Sequence, residues 1–377
     1  MPMNKIEKLI KELCPNGVEW KKLEEVCDIV SGKDYKHLQN GNIPVYGSGG
    51  IMTFVNKSAY DKPTVLLPRK GSISNVFYVN GPFWNVDTIY YTKIYEHIID
   101  TKYLFYYLQR EHIEKYCTSD AARPALTREC LSKIQIPLPP LPIQTEIVRI
   151  LDKFVEQQEQ LERLIELRKK QYEYYREELL KPKEGEVWKT MTIGDLGTIT
   201  RGRRFVRDDV RESGMPCIHY GDMYTYYGIT ARTTKTFLDR NFPKKMQYAK
   251  KGDVVVVGAG ENDLDIGVGM VWEGDEPAAV HDACYILTHN QNSKYIAYFL
   301  RTNNYHQQLR KYVSDGKICS ISGVGLGSCL IPIPSLKKQQ EIVEFLDKFE
   351  FSITALTSAL EASKKRYEYY RDKMMRF

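Results

Sequence analysis

The sequence predicts an α+β fold in which two mixed α/β modules are joined by two long helices that pair as an antiparallel coiled coil. Three observations support this prediction. A segment of about 47 residues occurs twice, apolar residues inside it recur at heptad spacing, and short strand-like runs precede each copy. The chain therefore alternates a variable block with a conserved block, twice.

The composition is that of an ordinary globular protein, with 377 residues of which 42% are hydrophobic and 27% charged. At about 150 residues per domain, this length suggests two or three domains. No apolar run approaches the ~18 residues of a membrane span, and the first residues, MPMNKIEKLI, lack the apolar core of a signal peptide. We therefore expect a cytoplasmic chain with no membrane association. The eight cysteines form no CxxC pair, so we expect them to be reduced and mostly buried.

The conserved block is the clearest repeat. IPLPPLPIQTEIVRILDKF (136–154) recurs as IPIPSLKKQQEIVEFLDKF (331–349), and YEYYRE (172–177) recurs as YEYYRD (367–372). The offset between the copies is 195 residues throughout. A constant offset means that the two copies have the same length and the same structure.

A weaker repeat opens each variable block. NGVEWKKLEEVCDIVSGK (16–33) resembles EGEVWKTMTIGDLGTITRGR (184–203), with Trp20 matching Trp188 at an offset of 168 residues. The second variable block is therefore 27 residues longer than the first. We expect two related modules with different insertions.

Each conserved block is predicted to form a long helix after a proline-rich stop. Apolar residues recur every three or four positions, as at the a and d positions of a coiled coil. Gln158, Arg168 and Ser363 are polar seam positions, which either set the register of the pairing or are tolerated near a helix end. The apolar seam residues are Ile147, Leu151, Phe154, Leu161, Tyr172, Tyr175, Ile342, Leu346, Phe349, Leu356, Tyr367 and Tyr370.

One helix of this kind cannot bury its apolar stripe alone, and the second copy supplies a partner within the chain. Residues 142–180 would span about 58 Å at 1.5 Å per residue. We expect antiparallel pairing, with the two modules related by a pseudo-twofold axis. The segment Ile6–Leu13 resembles part of residues 177–188, which close the first helix. It can supply the final turns that the second helix lacks, which favours a circular arrangement.

The variable blocks are predicted to be mixed α/β modules with the same order of elements. Runs of β-branched and aromatic residues bounded by glycine turns predict strands, and a longer amphipathic run predicts a helix. The first module has strand-like runs in 64–81 and 88–95 and a helix in 101–117. The second has strand-like runs in 253–260, 266–274 and 283–290 and a helix in 292–313.

The sequence lacks the usual catalytic motifs. There is no GxxxxGK[ST] loop, no HExxH and no GxSxG, and no methyltransferase or nuclease motif was recognised. VVGAGEND (256–263) superficially resembles the glycine turn of a nucleotide site, but no helix is predicted after it, so a tight turn between strands is favoured. His281 to Cys284 place two metal-ligand types close together without a second pair, so a structural role is favoured. We therefore expect no catalysis, no cofactor and no metal.

The informative feature is the placement of charge, because the net charge of +6 is only weakly basic. Between Arg201 and Lys251 there are 12 Lys or Arg and five acidic residues, whereas 252–285 holds eight acidic residues and no Lys or Arg. A basic segment with interleaved aromatic residues suits phosphate contacts and base stacking or edge readout. The alternative is a solvated basic face that the acidic region balances. The candidate DNA-binding residues here are Arg201, Arg203, Arg204, Arg207, His219, Tyr220, Tyr224, Tyr226, Tyr227, Arg232 and Lys235.

Taken together, the repeated blocks and the module openings resemble the specificity subunits of type I restriction–modification systems. The resemblance covers essentially the whole chain. LLPRKGSISNV (66–76) is similar to the strand–Arg–x–Gly–Ser turn of the family, which places Arg69, Lys70 and Ser72 near phosphate. The second module departs from this pattern, because GAGENDLDIG (258–267) has no Arg and several acids. Those acids would either accept hydrogen bonds from cytosine amino groups or be solvated.

The resemblance implies a non-catalytic subunit that binds double-stranded DNA. Two target recognition domains would each read one half of a bipartite, asymmetric sequence, and the helices would set the unspecified spacer. DNA adenine methyltransferase subunits would dock on the helices, so the seam residues are also the expected partner-binding residues. The partners would carry S-adenosylmethionine. A full system with a translocating restriction subunit and an orphan subunit that directs methylation alone remain alternatives.

The main rival interpretation is a coiled-coil scaffold with two globular ends and no role with DNA. A fused methyltransferase or nuclease is a second rival, which would need the chemical motifs that the sequence lacks. The predicted domains are an N-terminal helix that closes the repeat (1–15), a first target recognition domain (16–141), a first helical region (142–183), a second target recognition domain (184–335) and a second helical region (336–377).

Overall fold

A computed structural model describes residues 2–117, 125–242, 245–260, 265–314 and 318–377, with side chains from residue 5 onward. The chain divides into two compact units, Met1–Arg163 with Ser358–Phe377 and Leu164–Thr357. The α-helices of the described ranges are Pro2–Leu13 (α1), Thr101–Arg110 (α2), Arg128–Ser132 (α3), Leu141–Leu179 (α4), Ile193–Leu196 (α5), Asp222–Thr225 (α6), Ser293–Phe299 (α7), Asn303–Leu309 (α8), Gly323–Gly327 (α9) and Leu336–Met374 (α10).

The first unit contains a four-stranded sheet, a three-stranded sheet and a two-stranded ribbon. Their strand orders are β2-β8-β5-β6, β4-β3-β7 and β1-β9. Helix α2 packs on the four-stranded sheet and buries Tyr103, Leu104 and Tyr107 against it. The strands are Glu19–Lys22 (β1), Cys27–Ser31 (β2), Asn40–Gly47 (β3), Gly50–Val55 (β4), Thr64–Pro68 (β5), Phe77–Val79 (β6), Trp84–Asn85 (β7), Ile89–Ile94 (β8) and Gln135–Leu138 (β9).

The second unit has the same plan with additional strands. Its sheets have the orders β11-β21-β17-β19-β14, β12-β15-β13-β20-β16, β18-β23-β22 and β10-β24. The strands are Lys189–Thr192 (β10), Gly197–Arg201 (β11), Val210–Arg211 (β12), Met215–Ile218 (β13), Thr230–Ala231 (β14), Thr236–Leu238 (β15), Tyr248–Ala249 (β16), Val254–Val257 (β17), Ala259–Gly260 (β18), Gly269–Trp272 (β19), Ala278–Val280 (β20), Cys284–His289 (β21), Val313–Ser314 (β22), Cys319–Ile321 (β23) and Leu330–Ile333 (β24).

Each strand of the first unit has a counterpart in the second. The order β2-β8-β5-β6 corresponds to β11-β21-β17-β19, the order β4-β3-β7 to β15-β13-β20, and β1-β9 to β10-β24. In both units the middle strand of the second sheet pairs in parallel with a short strand, β3 with β7 and β13 with β20. The predicted α+β fold of two related modules and two long helices is confirmed.

The long helices run antiparallel within each unit. In the first unit the Phe154 ring lies 5.6 Å from the Tyr370 ring, and Glu162 is 2.9 Å from Lys364. In the second unit the Tyr175 ring contacts Phe345 and Phe349 at 5.3 and 5.5 Å. Residues later in α4 contact residues earlier in α10, so the two helices are antiparallel, as predicted. Both helices are 39 residues long, the length that the repeat predicts.

The polar seam positions have different surroundings. The amide nitrogen of Gln158 and the hydroxyl of Ser363 are buried and find no hydrogen-bond partner among the described residues. Arg168 donates to Gln171 at 3.2 Å, and its guanidinium lies 5.5 Å from the centre of the Phe349 ring. A role in setting the register stays a prediction for all three.

A duplicated hydrogen-bond cluster fixes each module on its long helix. Asp152 on α4 accepts from Lys102 Nζ at 2.7 Å and from the Tyr106 hydroxyl at 2.6 Å, both on α2. The same residue types recur between α7 and α10, where the distances to the carboxylate are 2.9 and 2.7 Å. We call these clusters the first latch and the second latch. The residues of the second latch are Lys294, Tyr298 and Asp347.

Helix α1 packs on the ends of both long helices in the first unit. Ile6 is buried in one cluster with Met374 and Met375. Lys5 donates to Glu146 of α4 at 3.0 Å, and Glu146 also accepts from Arg149. The bonds from Arg149 and then from Lys5 lower the pKa of Glu146 to about 2. The N-terminal segment therefore lies where the repeat needs a closing turn.

Two predicted helices end earlier than the sequence suggested. The helix predicted over 101–117 stops at Arg110, because His112 adopts a left-handed φ of 51°. The helix predicted over 292–313 is broken into α7 and α8, because the Thr302 hydroxyl caps a new helix by accepting from the amide of Tyr305. Periodicity alone does not show such breaks.

The compact units also divide the chain differently from the predicted domains. The division falls between Arg163 and Leu164 in α4 and between Thr357 and Ser358 in α10, inside the predicted helical regions. Each half of a long helix packs on the module of its own unit, so the helices do not form separate compact bodies. The predicted domain boundaries remain a prediction.

Candidate nucleic-acid interface

The basic segment of the second unit borders a cleft of about 430 Å³. Strands β13 and β20 are parallel neighbours, so their C-terminal ends open side by side. His219 and Tyr220 follow β13, and His281 follows β20. Arg201 and Arg204, at the end of β11 and just beyond it, line the same cleft. The fold thus gathers residues from three separate parts of the sequence.

Gly202 lets the chain that follows β11 lie close to the end of β20. A Cβ atom at this position would lie 2.1 Å from the carbonyl oxygen of His281, so the chain passes β20 more closely than any side chain permits. Arg203 donates its amide to the carbonyl of Val280 at 2.9 Å. This close approach brings Arg201, Arg204 and Arg207 to the cleft.

Aromatic rings form the floor of the cleft. The His219 ring lies 4.7 Å from the His281 ring and 4.5 Å from the Tyr220 ring, and Phe205 packs edge-on against His281 at 4.9 Å. Each histidine accepts a backbone amide at Nδ1, from Gly221 and Ala283 respectively. The proton of each neutral ring is therefore on Nε2.

The surroundings of both histidines favour the neutral form of the ring. Burial lowers the pKa of His219. Burial, and then the neighbouring His219, lowers the pKa of His281. Nε2 of His281 donates to the carbonyl of Phe205 at 3.1 Å. Both ring nitrogens of His281 are thus used within the protein, so the donors that the floor offers to a ligand are the Nε2–H of His219 and the Tyr220 hydroxyl. The positive charge of the cleft comes from arginine.

The arginines of the rim differ in their partners. Arg201 donates through Nε to the carbonyl of Asp282 at 2.8 Å, which fixes its guanidinium group. Within the described ranges, the guanidinium groups of Arg203, Arg204 and Arg207 make no hydrogen bond and no ion pair. All three side chains are exposed. Unpaired cations on a rim are free to bind an anion such as phosphate.

The later part of the basic segment is neutralised by the acidic region. Arg232 pairs with Glu273 at 3.3 Å, Arg240 pairs with Glu276, and Lys251 pairs with Asp275. For this part, the alternative of a balanced, solvated face describes the structure. Charge available for a ligand is concentrated at 201–207.

The predicted residues that follow β13 divide into exposed and buried positions. Tyr224 and Tyr226 are exposed, and Lys235 lies 5.5 Å from the Tyr226 ring and 3.4 Å from Asp222. Tyr227 is buried, and its hydroxyl accepts the amide of Lys235 at 3.0 Å. The prediction for Tyr227 is therefore corrected, because this side chain supports the fold and is not accessible to DNA.

In the first unit, the predicted turn follows β5. Arg69, Lys70 and Ser72 are exposed there, and Gly71 adopts a positive φ of 87°. Lys70 forms an ion pair with Asp87 at 2.8 Å, which lowers the pKa of that carboxyl group. Lys70 is therefore partly neutralised, whereas the guanidinium group of Arg69 donates a long hydrogen bond of 3.4 Å to the carbonyl of Asp87 and forms no ion pair within the described ranges.

The two units present these surfaces on the same backbone framework. In the first unit, the amides of Lys33, Arg69 and Val86 bond to the carbonyls of Asn85, Thr88 and Tyr46 at 2.9, 2.9 and 3.0 Å. The matching bonds in the second unit, at 2.9, 2.7 and 3.1 Å, run from Arg203, Gly258 and His281 to Val280, Ala283 and Ile218. We call this set of bonds the shared framework.

The side chains on the shared framework differ between the units. Gly47, Ser48 and Val86 in the first unit stand where the second unit has His219, Tyr220 and His281, as the matching bonds and strand pairs show. Of the acids in 258–267 that could accept from cytosine, Glu261 and Asp263 lie outside the described residues, and Asp265 is half-buried.

The seam residues expected at a partner surface pack inside the chain instead. Ile147 and Leu151 are fully buried in the first unit, and Ile342, Leu346 and Phe349 are buried in the second. Tyr172 is buried, whereas Phe154, Leu161, Leu356, Tyr367 and Tyr370 are half-buried and Tyr175 is exposed at 37%. For the buried members, docking of a partner is corrected to packing between the two helices, because a side chain used in the seam is not available outside it.

Two further features concern function classes. No helix within the described ranges is both long and apolar enough to cross a membrane. Across the part of the chain that the structure describes, no group of three or more His, Cys, Asp or Glu side chains is placed to hold a metal ion.

All eight cysteines are free; Cys27, Cys217, Cys284 and Cys329 are buried and the other four are half-buried, so the prediction that most would be buried holds for half of them.

The fold and this surface define a class of internally duplicated proteins, in which an antiparallel helix pair carries two related modules with different polar surfaces. The sequence matches the profile of the type I restriction modification DNA specificity domain over residues 15–169 and 185–363. The chain belongs to the family of type I restriction–modification specificity subunits.

Individual relatives agree with this assignment. The chain is 31% identical to a putative type I restriction enzyme specificity subunit of Haemophilus influenzae, over 99% of this chain and 98% of the relative. It is 31% identical to the EcoR124I/EcoR124II specificity subunit of Escherichia coli, over 73% of this chain and 70% of the relative. The fold is similar to the crystal structure of a type I S subunit from M. genitalium, with a TM-score of 0.60, 15% identity and coverage of 96% and 97%.

Proposed function

We propose that this chain is the non-catalytic DNA-recognition subunit of a type I restriction–modification complex. Each unit would read one half of a bipartite duplex target, and the helices would hold methyltransferase subunits and set the spacer. The chain itself would need no cofactor. The observation that carries the proposal is the shared framework, on which equivalent positions carry different side chains. Such an arrangement suits recognition of two unlike half-sites.

The cleft of the second unit supports binding of a duplex. Arg204 and Arg207, which are exposed and make no ion pair within the described ranges, line the cleft, and Arg203 is exposed next to Arg204. The His219 ring and the Tyr220 hydroxyl lie in the same cleft. Arginine contacts phosphate or, with two parallel hydrogen bonds, the edge of guanine, and histidine and tyrosine can contact base edges. In the first unit, Arg69, Lys70 and Ser72 would supply the phosphate contacts.

Docking of methyltransferase subunits would use the outward face of the helices rather than the seam. In the second unit, Leu164, Leu167 and Tyr174 are exposed at 50, 48 and 61% and follow one another at helical spacing on α4. Phe351 on α10 is exposed at 77%. An exposed apolar stripe of this kind is typical of a surface that another protein covers. A Leu167→Asp variant is expected to lose co-purification with the methyltransferase and to keep its own fold.

The function is tested by mapping N6-methyladenine across the genome of a methylation-free host. The methyltransferase is expressed with and without this chain. A gapped, two-part motif that depends on the chain supports the proposal and gives the target and the spacer. Absence of a motif, despite a soluble complex, would favour the scaffold without a DNA role. Whether a restriction subunit joins is then tested by adding it and measuring cleavage of unmethylated DNA.

The cleft is tested by filter binding of the complex to the mapped duplex. Arg203→Ala and Arg204→Ala are expected to weaken binding and to reduce its dependence on salt. Equal loss on matched and scrambled duplexes indicates phosphate contact, whereas relaxed specificity indicates base contact. Arg240→Ala, which removes an arginine already paired with Glu276, is the control and should bind normally. Unchanged binding by both cleft variants would refute the assignment.

A further inference from the structure

The first unit carries an exposed apolar hairpin that the sequence did not single out. Strands β3 and β4 pair up to Gly47 and Gly50, so Ser48 and Gly49 form the turn. On β4, Ile51 and Met52 are exposed at 54 and 57%. Strand β4 is also the edge of its sheet. Exposed apolar side chains on an edge strand favour unwanted association, so proteins retain them mainly where a ligand covers them.

A bulge directs Met52 toward one face of the hairpin. Val45 pairs with Thr53 and Tyr46 pairs with Ile51, so Met52 has no partner in the ladder. A Cβ atom on Gly47 would lie 2.6 Å from the Met52 sulfur and 3.4 Å from Thr88 Oγ1. The Met52 side chain therefore covers Gly47 close to Thr88. Bulges of this kind commonly re-aim a side chain at a functional site.

The hairpin turn is fixed to the Arg69–Ser72 turn. The amide of Ser48 donates to Thr88 Oγ1 at 3.2 Å, and Asn75 donates to the carbonyl of Ser48 at 3.0 Å. The position of a Cβ on Gly71 lies 2.7 Å from Ser48 Oγ. The apolar side chains are thus continuous with a surface that carries Arg69 and Lys70.

We propose that the tip of this hairpin is the base-reading element of the first unit, with Ile51 and Met52 in contact with thymine methyl groups in the major groove. The proposal rests on the proposed function and adds the chemistry of one half-site. A two-stranded ribbon fits the major groove, and apolar side chains there recognise the C5-methyl group of thymine. The cations beside the hairpin complement the phosphates that flank the groove. The second unit has His219 and Tyr220 at the equivalent strand end, so its readout would rely on hydrogen bonds.

The test is a coupling measurement between side chain and methyl group. Each thymine of the mapped motif is replaced in turn by deoxyuridine, which removes the methyl group alone, and binding of the complex is measured. For the parent chain, one or two substitutions are expected to weaken binding about fourfold each, the effect of one buried methylene-sized group. Met52→Gln and Ile51→Thr keep the approximate shapes of the side chains. They should bind more weakly and lose this sensitivity.

Controls separate the possible results. Val187→Thr changes an apolar residue that is 97% exposed outside the hairpin and should retain full sensitivity to deoxyuridine. Gly47→Ala displaces Met52 without removing it and should act like Met52→Gln. Equal sensitivity of parent and hairpin variants at every thymine overturns the inference while the proposed function stands. If the parent directs no motif at all, the proposed function fails and the inference fails with it.

Discussion

The second latch predicts a graded loss of stability among three substitutions. Asp347→Ala removes both hydrogen bonds and leaves the Tyr298 hydroxyl buried without a partner, because Tyr298 is fully buried. Tyr298→Phe removes one short hydrogen bond of 2.7 Å, while the carboxylate keeps Lys294. Lys294→Met removes an ion pair whose two side chains are 31 and 38% exposed. The expected order of damage is therefore Asp347, Tyr298, Lys294.

The magnitudes follow from the geometry. A hydrogen bond to a charged group contributes about 1.5 to 3 kcal/mol, so Tyr298→Phe should cost about 1.5 kcal/mol, since water can reach the half-exposed carboxylate. A partly exposed ion pair contributes about 0.5 kcal/mol, which is the cost expected for Lys294→Met. Asp347→Ala combines both losses with the desolvated hydroxyl and should cost about 2.5 kcal/mol.

The assay is urea unfolding of the full chain, with hydrogen exchange of α7 peptides as a local measure. Tyr369→Phe is the control, because this ring is 60% exposed and the change should cost nothing measurable. The same order is expected in the first latch for Asp152, Tyr106 and Lys102. A cost for Lys294→Met equal to that for Tyr298→Phe would refute the reasoning, since it would assign the stability to surface charge.

Three further predictions concern other sites. Phe349→Ala should cost about 3 kcal/mol in urea unfolding, because the ring is buried in the seam, whereas Phe351→Ala, 77% exposed, should cost nothing; equal costs would contradict the seam. Gly202→Ala places a Cβ 2.1 Å from the His281 carbonyl oxygen, so the backbone must shift and both stability and DNA binding should fall. DNA binding equal to that of the parent would contradict the role assigned to this close approach. The pKa of Glu146 is lowered from 4.5 to about 2, so its ionised carboxylate contributes fully to the stability of the fold above pH 4.5 and loses that contribution as the pH falls toward 2. In Glu146→Gln, the free energy of unfolding should therefore change less with pH over that range. An acid transition identical to that of the parent would rule this out.

The sequence was sufficient for the helix pair and its length. The repeat fixes two equal segments, and heptad spacing identifies the residues of the seam, such as Phe349, from local information alone. Whether a seam residue packs on the other helix or is exposed for a different protein depends on tertiary structure, which heptad spacing does not contain. That is why the docking proposal uses exposed residues such as Leu167 rather than seam residues such as Leu346, which is buried.

The sequence predicts that basic and aromatic residues form the site, but it does not show which of them line the cleft. A charge count finds the basic segment, yet it cannot show that Glu273 and Glu276 neutralise Arg232 and Arg240, because those pairs join distant parts of the chain. Burial of Tyr227 is equally invisible in the spacing of the tyrosines. His281 was seen only as a weak metal candidate, and its place beside His219 depends on the parallel pairing of β13 with β20.

The hairpin of the first unit was missed for a physical reason. Strand β3, NGNIPVYG, contains Pro44 and one further glycine, Gly41, besides Gly47, a composition that argues against a strand. The parallel partner β7 is only two residues long. The turn sequence GSGG between runs of alternating apolar residues was the signal that could have revealed the hairpin.

The shared framework has a consequence for how this chain can evolve. Its bonds join backbone amides to backbone carbonyls, so they persist when the side chains above them are exchanged. Most substitutions that create a new binding preference destabilise a protein, and the lost stability must then be restored elsewhere. The two units show that one framework accepts different side chains, since Ser48 of the first unit stands where the second unit has Tyr220. A substitution at such a position can therefore change the surface presented to a ligand while the backbone bonds beneath it persist.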